Sequence, residues 1–248
     1  RAMLQGLGLQ AVAELRSELT GPERLDGFSP LRGTIGGLDR DASARCSGEM
    51  LERLLELTAG ILQYSEAQLE QVQCARAPLP VVNERQLAEN LGVQCTAGRL
   101  VWHPEDLDRL GPWVPAGKPL AIYGRGTVWL AAWLAARALP AEAAIFDARF
   151  GWLRVPRAAR RSPASLRVQA SPVRGGLRLD FDLLDAVLEP GELRLPPWPD
   201  EPGGVLLSGK LPRWAFAALA RYFARRKPWV AVWDAALGAA VTVWGQMG

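Results

Sequence analysis

Histidine is almost absent: the 248-residue chain has one, His103, followed by Pro104, Glu105 and Asp106. It reads as a surface-loop residue, with a lone acid–base group as the alternative. Cysteine is scarce too. Cys46, Cys74 and Cys95 form no Cys-x-x-Cys pair, which argues against zinc and for reduced thiols in a cytoplasmic setting. The longest apolar run, Val128 to Ala136, is closed by Arg137 and is far too short to span a bilayer. No membrane partner is expected. No signal-peptide pattern is visible, and a chain opening on Arg1 is expected to have its true start elsewhere.

What is present is ordinary in bulk and unusual in arrangement. A hydrophobic fraction of 49% and a charged fraction of 22% exclude a disordered chain. A net charge of +3 and a pI near 9.0 favour anionic partners without requiring them, since an arginine-rich solvated surface has the same balance. The densest basic run, Arg154-Val-Pro-Arg157-Ala-Ala-Arg160-Arg161, falls between the repeats and reads equally as a surface for an anionic partner or as a linker with exposed charges.

One passage of the chain is written twice. Leu120-Ala-Ile-Tyr-Gly-Arg-Gly-Thr-Val-Trp129, a small-residue helix and Ala144-Ile-Phe-Asp147-Ala-Arg-Phe-Gly151 return as Val205-Leu-Leu-Ser-Gly-Lys-Leu-Pro-Arg-Trp214, a helix and Ala231-Val-Trp-Asp234-Ala-Ala-Leu-Gly238. Gly124/Gly209, Trp129/Trp214 and Leu134/Leu219 share an offset of 85, whereas Asp147/Asp234 and Gly151/Gly238 sit at 87, as an insertion near Arg226-Lys227 would produce. Such a period is a whole small domain rather than a solenoid turn. Three regions follow: 1–78, mainly helical; 79–160, the first repeat; and 161–248, the second.

In the first region, Ala11 to Leu19 has helical spacing and stops at Thr20-Gly21-Pro22. Asp26 to Ser47, rich in Gly, Asp, Arg and Ser, reads as a loop. From Met50 to Val72 the apolar residues recur at helical intervals, so this stripe is buried either on the chain's own repeats or on a partner subunit. Beyond Pro78-Leu79-Pro80, Asn83-Glu-Arg-Gln86 reads as a helix start. Hairpins are expected around Thr96-Ala-Gly98 and around Gly175-Gly176. Each repeat then continues as apolar strand, glycine turn, helix, strand and final hairpin, a βαβ crossover with a parallel core.

The residues that stand out lie at the carboxyl ends of these strands. Gly124-Arg125-Gly126 and Ser208-Gly209-Lys210 lead into helices, and free amides beside a basic side chain suit phosphate; a tight corner is the plainer reading. Asp147 and Asp234 end the neighbouring strands. They would hold a divalent metal or an attacking water, or start a hairpin turn that Gly151 and Gly238 complete. The tryptophans are read mainly as core, with base stacking open to any that are exposed.

The segment from Ser208-Gly-Lys-Leu-Pro-Arg-Trp214 to Trp233-Asp-Ala-Ala-Leu-Gly238 resembles a small CRISPR-associated family of type III systems that binds and degrades cyclic tetra-adenylate. That family has the order strand, Ser-Gly-Arg/Lys-x-Pro-x-Trp, helix, strand, aromatic-Asp-Pro-x-Leu-Gly, strand. The resemblance covers about Ser165 to Gly245, and more weakly Gly92 to Ala158. It implies a Rossmann-like fold, here doubled, with Gly124, Arg125, Ser208, Gly209 and Lys210 along an RNA backbone. It also implies that Asp147 and Asp234 match a catalytic aspartate associated with manganese.

The departures bear on catalysis. Alanines such as Ala131, Ala136 and Ala218 stand in the helix where family members carry histidine. Arg157-Ala158 and Gly245-Gln246 stand in the strand-end region, and Ala148 and Ala235 replace the proline after each aspartate. The expectation is therefore an α/β protein of two tandem Rossmann-like repeats after a helical region, recognising cyclic oligoadenylate or RNA without cleaving it. The alternatives are a manganese-dependent ring nuclease and a scaffold that meets other type III subunits through its amino-terminal helices.

Overall fold

A computed structural model describes residues 66–96, 99–184, 188–191, 193–199 and 201–246. The chain divides into one unit ending at Arg76 and a second from Ala77 to Gly248. The helix near Ala11, the Asp26–Ser47 loop and the start of the Met50 stripe lie outside the described residues. In the first unit the described element is α1 (Glu66–Ala75), which carries the end of that stripe, with Leu69 half-buried and Val72 exposed.

The second unit is mixed α/β. Its apolar runs become strands in two main sheets. The first holds β1 (Val81–Asn83), β4 (Leu120–Tyr123), β5 (Ala143–Asp147) and β6 (Gly151–Arg154) in the spatial order β1-β4-β5-β6. β1, β4 and β5 are mutually parallel and β6 turns back antiparallel. The second sheet holds β8 (Leu166–Val173), β9 (Gly176–Leu183), β11 (Gly204–Gly209), β12 (Trp229–Asp234) and β13 (Ala239–Gly245) in the order β13-β12-β11-β9-β8. Here β9, β11 and β12 are parallel, with an antiparallel strand at each edge.

Parallel neighbours need a crossover. α4 (Val128–Arg137) supplies it between β4 and β5, and α5 (Arg213–Ala224) between β11 and β12. Both helices are rich in Ala, a strong helix former. Thr127 starts α4, its hydroxyl accepting from the Leu130 amide at 3.3 Å; Pro212 precedes α5 with its φ already near the helical value. Short elements complete the unit: α2 (Glu84–Leu91), α3 (Asp106–Leu110), the hairpin of β2 (Cys95–Thr96) and β3 (Arg99–Leu100), and β7 (Ala158–Arg160) parallel to β10 (Leu193–Leu195).

Beside β4 the structure departs from the sequence reading. The expected hairpin around Thr96-Ala-Gly98 forms as a separate two-stranded sheet, and the strand beside β4 is β1, which the sequence reading did not expect. The physical reason is burial: Cys95 and Thr96 are exposed, whereas Asn83 at the end of β1 is buried. β9 likewise does more than close a hairpin with β8, because its other edge pairs with β11 from Gly176↔Gly204 to Phe181↔Gly209. Its alternation explains this: Leu177, Leu179 and Phe181 are buried, while Arg178 and Asp180 lie on the opposite face.

A main apolar core unites these parts, and a smaller cluster holds Leu206, Trp229 and Ala231. The main core runs from Leu87 and Ala88 on α2 through Ile122, Ile145, Phe181 and Leu207 to Val243. α4 and α5 are buried nearly all round, with Trp129 and Trp214 fully enclosed, as helices do when both faces meet protein. α4 packs on α5 and touches β4 of one sheet and β12 and β13 of the other.

Candidate functional site at the strand ends

Gly124 and Gly209 end β4 and β11 in the same manner, each with positive φ (144° and 124°). A side chain at Gly124 would collide with Glu84, and one at Gly209 with the Phe181 backbone. Both glycines are therefore required by geometry as well as by the turn. Arg125 and Lys210, which follow them, are exposed.

The amides after the two glycine turns are used differently. The Gly126 amide donates to Glu84 Oε2 at 2.6 Å, so the anion beside the start of α4 belongs to the chain itself. Glu84 is completely buried. Its other oxygen accepts from Arg213 Nη2, and Arg213 Nη1 donates to the Gly124 carbonyl at 2.6 Å. The two helix starts are thus tied together through one carboxylate and one guanidinium. Asn83 places Glu84 there by capping α2, its Oδ1 accepting from the Arg85 amide at 2.9 Å.

In the second sheet the corresponding strand position is held by Phe181, paired with Gly209, and the charges shift one position along. Arg178 donates to Asp180 through Nε at 2.8 Å and Nη2 at 3.0 Å, and Nη2 also donates to Ser208 Oγ at 3.1 Å. The same guanidinium lies 5.2 Å from the Trp233 ring centroid. Burial would raise the Asp180 carboxyl, but bonds from Arg178 and Ser208 and the Arg178 charge hold it below the ordinary carboxylate range. Ser208 thus joins a polar cluster on the face of this sheet away from the helices. The matching face of the first sheet is aromatic, with Tyr123, Phe146 and Trp152 in contact at centroid distances of 5.2 to 6.1 Å.

The two aspartates end β5 and β12 beside β4 and β11. Asp147 Oδ1 accepts from the Arg149 amide at 2.9 Å, and both its oxygens accept from the Arg149 guanidinium. Burial pushes its carboxyl up, yet the Arg149 bonds and charge and the Phe150 amide hold it below the ordinary carboxylate range. Asp234 Oδ1 accepts from the amides of Ala236 and Leu237 at 2.8 and 3.2 Å. Its Oδ2 accepts from Trp129 Nε1 at 2.9 Å, a contact between the two halves. Gly151 and Gly238, with φ of 74° and 62°, close these turns. The turn chemistry read from Asp-x-x-x-Gly is therefore formed at both sites, and among the described residues no three His, Cys, Asp or Glu side chains gather into a metal-binding group.

Sequence reasoning singled out neither Glu84 nor the Arg178–Asp180 pair. The only signal for Glu84 was its place after a capping asparagine. For Arg178 and Asp180 it was the strict alternation of Leu177-Arg-Leu-Asp-Phe181.

Residues 182–247, from the end of β9 through β13, match a family model. Its description is CRISPR-associated protein (Cas_csx3). The match supports a CRISPR-associated protein and includes Ser208, Gly209, Lys210 and Asp234. No curated protein and no solved structure matches the chain. No helix among the described residues is long and apolar enough to cross a membrane.

Proposed function

We propose that the chain is a CRISPR-associated protein of a type III system, that its two sheet-and-helix halves are tandem Rossmann-like repeats, and that it recognises cyclic oligoadenylate without cleaving it. The observation that carries this reading is the paired strand ends. Gly124 and Gly209 hold the same left-handed geometry ahead of α4 and α5, with an exposed Arg125 or Lys210 beside each, and the second copy lies within the family match. In open α/β sheets ligands bind outside the carboxyl ends of the strands. The half-buried rings of Tyr123, Phe146 and Trp152 beside Gly124 offer apolar surface to a base.

Recognition is favoured over cleavage by the occupancy of the aspartates. Both Asp147 oxygens accept from Arg149, and Asp234 is committed to two turn amides and Trp129. The chain's own histidine content points the same way.

Equilibrium binding of labelled cyclic tetra-adenylate to the full chain tests the proposal. The expected result is association that Arg125→Ala and Lys210→Ala each weaken about tenfold, the effect of losing a charge-assisted contact. Absence of association with any ring size rejects recognition. Linear products in manganese that vanish in Asp147→Ala or Asp234→Ala would instead establish a nuclease.

A further inference from the structure

At the other end of β5, away from Asp147, the molecule has a cleft of about 340 Å³ between the start of that strand, the end of β6 with the loop after it, and the last turns of α5. Its walls carry five arginines, Arg154, Arg157, Arg221, Arg225 and Arg226, and one carboxylate, Glu142. Glu142 is held by Arg154 at 2.6 Å, and that pair is largely exposed. No other carboxylate is among the residues that line the cleft.

Two of the five have clear structural work. Arg221 donates to the carbonyls of Ala135 and Ala141 at 2.7 and 2.6 Å, covering the last turn of α4 and the loop after it. Arg226 donates to the Tyr222 carbonyl at 2.8 Å and lies over the Tyr222 ring at 3.9 Å. Burial, with the Arg225 charge beside it, lowers the Arg221 guanidinium to about 10, so it is still charged at neutral pH and is repelled by its neighbour. Arg157 and Arg225 are exposed at the rim. Like charges brought into one concavity destabilise a protein unless an anion joins them. The positive edge continues past the cleft to Arg160, stacked on Trp198 at 3.9 Å.

We infer that this cleft binds a phosphate-bearing ligand, gripped by Arg157 and Arg225 at the rim with Arg221 at its base. Its size suits one nucleotide-sized group, and guanidinium groups match phosphate oxygens in pairs. The phosphate has two possible sources, a free nucleotide or a strand of RNA passing over the rim. The cleft and the glycine turns lie at opposite ends of β5, so this site stands apart from the one proposed for cyclic oligoadenylate.

The test uses the full chain with two probes, ADP by calorimetry and a fluorescent single-stranded RNA by anisotropy. Arg157→Gln with Arg225→Gln is compared with Arg167→Gln with Arg174→Gln, an equal loss of exposed charge that does not line the cleft. The expected result is at least tenfold weaker binding in the first pair and unchanged binding in the second, with neither variant melting below the parent. For RNA, losing two phosphate contacts also lowers the salt slope by about 1.4. ADP binding, with displacement of the RNA, assigns the site to a nucleotide; RNA binding alone assigns it to a strand. Equal losses in both pairs, or no binding of either probe, would overturn the inference. Either outcome is read without cyclic tetra-adenylate and leaves the other proposal standing.

Discussion

Trp129 and Trp214 occupy the same place in α4 and α5, and both are fully buried, yet their indole N–H groups end differently. Trp129 Nε1 donates to the Asp234 carboxylate at 2.9 Å, whereas Trp214 Nε1 has no hydrogen-bond partner among the described residues. Replacing either with Phe leaves a similar void, so the difference between the two isolates the polar term. A bond to a charged acceptor contributes about 1.5–3 kcal/mol, and a buried unpaired donor costs about 1–3 kcal/mol. Trp129→Phe is therefore expected to destabilise the protein by at least about 2 kcal/mol more than Trp214→Phe, measured by urea unfolding. Equal losses would show that the Trp129 bond carries no weight. Asp147 gives the second residue-scale prediction. Its folded value lies below the ordinary carboxylate value, so its contribution is fully present above that ordinary value and is lost as pH falls through the lower folded one. Arg149 is nearly half exposed, which limits the pair to about 1 kcal/mol. Asp147→Asn should flatten the steep part of the acid limb below the ordinary carboxylate range in a fluorescence-monitored acid titration, with a neutral-pH loss no larger than that.

At the scale of elements, α4, α5 and the strands they connect were legible because each rests on a local signal: an apolar run, a glycine turn, then Ala and Leu at helical spacing. The turns at Asp147–Gly151 and Asp234–Gly238 were legible for the same reason. What escaped were contacts made over long stretches of chain. β1 has three residues, too few for a periodicity to register, and the second edge of β9 is invisible in a sequence that already explains itself as a hairpin. Arg154 and Arg157 read equally as a charged linker or an anion-facing surface because nothing local says that α5 brings Arg221 and Arg225 against them. Glu84 is the sharpest case, since its partners Gly126 and Arg213 lie 42 and 129 residues away. Removing it leaves Arg213, only 21% exposed, without its counter-charge. Truncating one partner of a buried pair costs about 3–5 kcal/mol, whereas an apolar replacement of both is often close to neutral. Glu84→Ala is expected to fall in that range, and Glu84→Leu with Arg213→Met to recover more than half of it in the same unfolding assay. Failure of the double variant to recover would assign the loss to the Gly126 amide and the Gly124 carbonyl, both left without their partners.

Over the whole molecule, two halves that look separable in sequence share one interior from Ala77 onward. α4 touches strands of both sheets, Trp129 reaches Asp234, Arg213 reaches Glu84 and Gly124, and Arg221 closes the carbonyl end of α4. A half whose crossover helix packs on the other half's strands has no complete core by itself. Loss of a contact in one half must then be felt in the other, because opening either sheet exposes the same buried helices. Native-state hydrogen exchange on the full chain reads this directly, since each amide reports the free energy of the opening that frees it. Glu84→Ala, made in the first half, should lower the protection of β11 and β12 amides by the same amount as that of β4 and β5. Protection lost in β4 and β5 alone would mean that the halves unfold independently. A ligand held at both glycine turns would then couple two bodies rather than brace one.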